Sequence, residues 1–262
     1  MPEETAPNPM PAPRNWWRDL RLALGFMTRL PVGAVNGDLA AASWAFPLAG
    51  LLVGGVAALI YGFAIDLGLS ALLAAALAVA SAMLLTGALH EDGLADFADG
   101  LGVRGGPVER LAAMRASGIG SFGTLALIFT VLLRVAALAA LTGPAGVGPA
   151  LLSAHAGARA LLPWAMHGQP RARADGLAVG AGRPARAVAI ATLLIGLAIL
   201  LLAAGPVRGT IAALAALLGL VILPLARRRL GGITGDVLGA VEQVAEIAIL
   251  LALVATRSLV GR

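Results

Sequence analysis

The chain has 262 residues, of which 59% are hydrophobic and 13% charged, with a mean hydropathy of +0.90; a soluble domain carries about 25% charged residues, so this composition excludes a soluble globular protein. All 19 basic residues are arginine and cysteine is absent, which rules out disulfides, thiolate metal sites, a catalytic thiol and a lysine nucleophile or Schiff base. The formal charge of +5 does not argue for nucleic acid, because the arginines are spread over many loops and not interleaved with aromatics.

Residues 1–15, rich in Pro, Glu and Ala, read as a disordered tail without the apolar core of a signal peptide. The rest, 16–262, reads as one integral-membrane catalytic domain. Trp16 to Leu30 mixes Arg18, Arg21 and Arg29 with Trp, Leu, Phe and Met, too short and too charged to span and suited to an interfacial amphipathic helix. Seven apolar stretches follow, at 46–65, 68–89, 123–141, 147–166, 187–204, 209–226 and 236–257, each close to the roughly 20 residues a spanning helix needs. The expected fold is therefore all-α: a polytopic membrane helix bundle of about seven transmembrane helices plus the interfacial helix. The last stretch is the weakest spanning candidate because of its polar residues, and six spans with a re-entrant segment is the alternative.

Arginine counts orient the bundle. With the N-terminus inside, 14 arginines fall on cytoplasmic segments and three (Arg208, Arg257, Arg262) outside, with Arg134 and Arg159 within helices. That bias places the N-terminus in the cytoplasm. Gly50, Gly54 and Gly55 have the small-residue spacing of tightly crossing helices.

The densest chemistry lies in HEDGLADFADGLG, His90 to Gly102. At about 100° per residue, Asp92, Asp96 and Asp99 share one helical face; three carboxylates on one face repel unless a cation sits between them. The topology puts this stretch at the cytoplasmic end of the second span. It puts GGITGD, Gly231 to Asp236, at the same membrane face, where glycines let backbone approach a ligand, Thr234 offers a hydroxyl and the helix start suits an anion. Asp236 alternatively serves as a simple helix cap. Inside the last span, Glu242 lies roughly 9 Å deep and Glu246 about 15 Å, while Arg159 lies near 10 Å and Arg134 near 16 Å. Those depths predict the pairs Arg159–Glu242 and Arg134–Glu246, or one cluster in which they exchange partners. His155 reads as a core histidine, His90 as a base, a ligand or an interfacial residue, and His167 as interfacial. No Walker A motif is present.

The segments TRLPVG (28–33), FPLAGLLVGG (46–55), LTGALHEDGLADFADGLG (85–102), MRASGIGSFGTLALI (114–128) and GGITGDVLGAVEQVAEI (231–247) resemble the cobalamin synthase, or adenosylcobinamide-GDP ribazoletransferase, family. The resemblance implies that a hydroxyl of α-ribazole or its 5′-phosphate attacks the phosphate attached to cobinamide and GMP leaves. It implies Mg²⁺ held by Asp92, Asp96, Asp99 and Asp236, and proton transfer by one of Glu91, Asp92, Asp96 and Asp99. Arg115, Arg159, Thr234, Gly235 and Glu242 are the expected substrate-binding residues. The expected partners are the two substrates and the lipid bilayer, with homo-oligomerisation left open. In MRASGIG, Ala116 and Gly118 stand where that family's pattern has aspartate and arginine. Two other readings compete: a transporter with polar residues at the midplane, and an enzyme similar in logic to CDP-alcohol phosphotransferases acting on another substrate.

Overall fold

Caps, prolines and left-handed residues divide the chain into fourteen α-helices in the computed structural model, which describes residues 15–260. The tail expectation for 1–15 thus falls almost wholly outside the described residues. In chain order the helices are α1 (Trp16–Met27), α2 (Leu39–Ala42), α3 (Phe46–Asp66), α4 (Ala71–Thr86), α5 (Leu89–Gly102), α6 (Pro107–Ala113), α7 (Ser121–Leu141), α8 (Pro144–Ala160), α9 (Leu162–Gly168), α10 (Leu177–Gly180), α11 (Arg186–Ala204), α12 (Pro206–Ala216), α13 (Ile222–Leu230) and α14 (Gly235–Ala255).

Five helical stretches among the described residues are long and apolar enough to cross a membrane: 39–66, 121–141, 186–204, 206–230 and 235–255; a sixth results if α4 and α5, bent by 89°, count as one span. Seven were expected. The two that fall short do so for visible reasons. Helix α4 stops at Thr86 because Gly87 (φ +65°) and Ala88 (φ +55°) are both left-handed, and the second lacks glycine's freedom, so the turn carries local strain. Helix α8 has 17 residues and ends at Leu161, just before Pro163, which cannot donate to the carbonyl four residues back.

Helix α8 is nevertheless central. It packs along α3 across Gly50 and Gly54, where a Cβ would collide with the carbonyl oxygens of His155 and Leu151. The small-residue stripe therefore sets how close α8, with His155 and Arg159, lies to its neighbour. Helix α14 is the other central element, with thirteen of its 21 residues buried. Helix α1 is capped by Asn15, whose Oδ1 accepts from the Arg18 amide at 3.1 Å. It is tied to the α2–α3 corner by the Trp44 indole, which donates to Asp19 at 3.0 Å. Trp16 and Trp17 stay exposed.

Candidate functional site

The site exists because two helices cross on glycine. Gly93 of α5 faces α14, where a Cβ would stand 3.0 Å from the Asp236 Cα; Gly239 of α14 faces α5, where a Cβ would stand 2.8 Å from the His90 carbonyl oxygen. Any larger residue at this crossing drives the helices apart. The bend at 87–88 turns α5 along the end of α14, so residues some 140 positions apart meet. Asp92 and Asp236 line one small cavity of about 60 Å³, beneath an apolar wall that includes Phe26, Met27 and Phe46. Asp92 also lines, with Asp96, an open groove of about 500 Å³ whose far side is the 114–119 segment.

Of the three aspartates on one face of α5, two point into these spaces and the third is engaged. Asp99 accepts from the amides of Gly120 at 2.7 Å and Gly123 at 2.8 Å, satisfying the start of α7, which has no side-chain cap of its own. It braces α7 against α5. Asp96 titrates high: burial, and then the charges of Asp236, Asp92 and Asp99, raise it from 3.8 to about 6. Burial and neighbouring like charges both favour the protonated form.

Glu91 does not belong to this group. One residue from Asp92, it points about 100° away into the bundle, where its carboxylate accepts from Arg134 at 2.8 Å. Sequence reading placed it beside the aspartates as a possible base; the structure places it in a buried ionic network, and this expectation is corrected. The network is the cluster that the depths predicted. Arg159 lies 2.6 Å from Glu242 and 3.9 Å from Glu246, Arg134 lies 3.3 Å from Glu246, and His155 Nδ1 lies 3.0 Å from Glu246. His90 joins through Arg159, its Nδ1 at 3.3 Å, and Gln243 donates to Glu242 at 2.9 Å. Arg159 and Glu242 are therefore internal and 0–2% exposed, reaching the site only through His90, which lines the small cavity with Asp92.

The turn GGITGD is put to other uses than those read from sequence. Gly231 (φ +82°) ends α13. Gly232 lets the 170–172 backbone approach; the Ile233 amide donates to the Pro170 carbonyl at 2.8 Å, and the Ile233 carbonyl accepts from the Ala172 amide at 3.0 Å. Thr234 is the cap of α14, accepting from the Val237 amide at 3.3 Å, and its hydroxyl donates to Asp236 at 3.1 Å. Its hydroxyl is thus committed within the protein, whereas Gly235 lines the small cavity. Asp236 is not the cap; its carboxylate faces α5 and lies 3.7 Å from Arg173.

Arg173 stands outside the substrate-binding set expected from the sequence. It donates to the Leu111 carbonyl at 2.8 Å and reaches Asp236, so it joins α6 to the carboxylates. Arg115, expected at the substrate, pairs with Asp175 and lines both the aspartate groove and a second open groove of about 610 Å³.

Two places could hold a cation. Among the described residues, the set whose ligand atoms all lie within 4.8 Å of one another is His155, Glu242 and Glu246. Two guanidinium groups already neutralise it, which leaves little attraction for a metal. Asp92, Asp96 and Asp236 stand further apart, with Arg173 3.7 Å from Asp236 and Arg115 lining the groove of Asp92 and Asp96. A small hard cation that takes one or two carboxylates and completes its shell with substrate phosphates suits them.

The sequence profile of the cobalamin-5-phosphate synthase family matches residues 19–254. The chain is 50% identical over 244 residues to an adenosylcobinamide-GDP ribazoletransferase of Bradyrhizobium diazoefficiens, covering 91% of this chain and 94% of that protein. It is 44% identical over 252 residues to the Mesorhizobium japonicum protein of the same description, covering 94% and 96%. No solved structure matches.

Proposed function

The chain belongs to the cobalamin-5-phosphate synthase family, and from that premise we propose that it joins adenosylcobinamide-GDP to α-ribazole or its 5′-phosphate in a membrane-embedded, Mg²⁺-dependent phosphotransfer that releases GMP. The observation that carries this reading is the Gly93–Gly239 crossing, which gathers Asp92, Asp96 and Asp236 at one rim. Phosphoryl transfer needs positioning and charge neutralisation more than covalent chemistry.

Asp92 and Asp236 are the residues that would hold Mg²⁺, with Asp96 beside them and Asp99 fixing their helix. When bound, Mg²⁺ neutralises the diphosphate and the charge developing on its oxygens. Arg173, beside Asp236, neutralises the departing phosphate. The attacking hydroxyl loses its proton to Asp96: Glu91 is committed to Arg134, Asp99 to backbone amides, and Asp96 alone of the remaining carboxylates is not assigned to the metal. The new P–O bond forms to the nucleoside, and the bond to GMP breaks.

The orientation that fits is cytoplasmic for the N-terminus and for this rim, in a bacterial inner membrane, with α1 lying in the interface. In this arrangement α4 and the α8–α9 pair supply the two crossings beyond the five, giving seven.

The test is GMP release from adenosylcobinamide-GDP and α-ribazole by the protein in detergent. Release that requires Mg²⁺ and collapses in Asp96→Asn is expected. No release by the wild type, or undiminished release by Asp96→Asn, overturns the reading. A transporter would instead use the midplane network, and its carboxylates are already paired.

A further inference from the structure

Beyond the aspartates, a second open groove of about 610 Å³ runs between α6 and the 173–175 segment. It adjoins the aspartate groove, because Arg115 lines both. Its wall is aliphatic, from Val108, Leu111 and Ala112, and its polar groups are Arg173, Arg115 and Asp175. These groups offer a phosphate partner and a base partner within one groove. Arg173 sits at the end nearest the carboxylates, 3.7 Å from Asp236, with a buried Nε that has no hydrogen-bond partner; it suits a phosphate. Asp175, two residues on, pairs with Arg115, which also lines the aspartate groove. The side chains of this pair are 52% and 65% exposed. Exposed ion pairs contribute little to stability, so this one opens readily for a ligand that satisfies both partners.

The pair presents a donor beside an acceptor. Guanine presents the converse: O6, an acceptor, beside the N1–H and exocyclic amino donors. A carboxylate accepts from those two donors together, and a guanidinium donates to O6, a contact arginine makes commonly. Adenine meets the pair only by turning over, its exocyclic amine toward the carboxylate and N1 toward the guanidinium, and then offers the carboxylate one donor where guanine offers two. Hypoxanthine lacks the exocyclic amine, and xanthine has a carbonyl in its place.

We infer that the groove between α6 and the 173–175 segment is the nucleobase subsite of the nucleotide-linked substrate, with Asp175 selecting guanine through its N1–H and exocyclic amine and Arg115 donating to O6. This rests on the proposed reaction only for the identity of the nucleotide. If the pair merely tethers α6 to the 169–176 segment, base identity is indifferent to it.

The experiment measures binding of GMP, IMP, AMP and XMP to the purified full chain in detergent with MgCl₂, for wild type, Asp175→Asn and Asp175→Ala, with nucleotide release from adenosylcobinamide-GDP followed in the same preparations. An asparagine amide accepts from N1–H and donates to a C2 carbonyl, so it matches xanthine. The wild type is expected to bind GMP about tenfold or more above IMP and AMP. Asp175→Asn should reverse the order of GMP and XMP, and Asp175→Ala should flatten it. A gain of XMP binding cannot come from partial unfolding. An unchanged GMP-to-XMP ratio in Asp175→Asn, or a wild type that does not distinguish the four, overturns the subsite. If the wild type still releases GMP in that case, the proposed reaction stands; if it releases none, that reading falls separately.

Discussion

Two groups of carboxylates lie within a few turns of each other, and they are built on opposite principles. Glu91, Glu242 and Glu246 sit inside the bundle at 0–5% exposure and are matched by Arg134 and Arg159, with His90 and His155 filling the gaps. Asp92, Asp96 and Asp236 sit at the rim, half-buried or exposed, with Arg173 as their nearest cation. In the buried group each carboxylate lies within 4 Å of a guanidinium. In the rim group like charges face one another, and with burial they raise the Asp96 carboxyl to about 6. The first fixes where α5 and α14 stand, and the second uses the result.

Breaking the buried group should have the largest effect. Arg159→Ala strands Glu242 and part of Glu246 without a counter-ion, and losing one partner of a buried pair costs about 3–5 kcal/mol. Thermal unfolding and size-exclusion chromatography in detergent should show a protein with sharply lower melting temperature or none folded. The double change Arg159→Met with Glu242→Leu should recover much of that loss, because replacing both partners by apolar groups is often nearly neutral. If the double variant melts no higher than Arg159→Ala, the pair is not the stabilising unit described.

Breaking the rim group should spare the fold and remove the activity. Asp92→Asn should melt at or above the wild-type temperature without Mg²⁺, since one repelling charge is gone. Its turnover should drop by roughly 10²-fold or more, the scale of losing one preorganised electrostatic group, with a higher Mg²⁺ requirement. Asp96→Asn should lose turnover without that shift in Mg²⁺ requirement. A turnover loss accompanied by unfolding would erase the distinction between the two groups.

The joint between them is the glycine crossing. Gly239→Ala places a methyl 2.8 Å from the His90 carbonyl, backbone that has little room to move; overpacking of this kind costs about 1–3 kcal/mol. Activity should fall more than the melting temperature suggests, because separating the helices also separates Asp92 from Asp236. Parallel losses in both measurements would mean the crossing matters only for packing.

Much of this was legible beforehand, and the physical reasons divide cleanly. Counting 1.5 Å per residue matched Arg134 to Glu246 because α7 and α14 run continuously through those depths, and matched Arg159 to Glu242 although α8 breaks at Leu161. Arginine asymmetry brought Asp236 to the same rim as Asp92. Glu91 was misplaced although its signal was available: the wheel that aligns Asp92, Asp96 and Asp99 turns Glu91 away from them. Asp99's service to α7 had a signal too, in a helix starting at Gly120 with no capping side chain of its own. The bend before α5 had none, since Gly87 marks a helix end but nothing in Ala88 announces a second left-handed residue. The span count suffered for that reason, and because Pro163 ends α8 early. Gly232 looked like a ligand-facing glycine because close approach of a backbone and close approach of a ligand demand the same missing Cβ.

A gentler probe of the rim group is pH. The Asp96 carboxyl goes from 3.8 to about 6 on folding, so the folded state holds its proton more tightly than the unfolded state does. Its contribution to stability is fully present below pH 3.8 and is lost as pH rises through about 6. Without divalent cations the melting temperature should therefore carry a component that declines over that window, absent from Asp96→Asn. Saturating Mg²⁺ should reverse the decline above pH 6, because a cation held by Asp92 and Asp236 favours the charged form of Asp96 beside it and stabilises the state it binds. Identical profiles with and without Mg²⁺ would mean the aspartates do not hold it.

The smallest effect expected is at the groove's far wall. Gly118 has nothing within 4 Å of where a Cβ would stand, and the 114–119 segment faces Asp92 and Asp96. Gly118→Arg should change stability by no more than about 0.5 kcal/mol, as for an exposed position. Its guanidinium would add positive charge opposite the rim aspartates, as Arg173 does from the other side. It should lower Asp96's pKa and weaken Mg²⁺ binding measured without substrate, while tightening binding of the diphosphate substrate. Those opposite signs separate a rim that recruits a cation through net negative charge from one that holds it by geometry alone, because in the second case Mg²⁺ affinity would not respond.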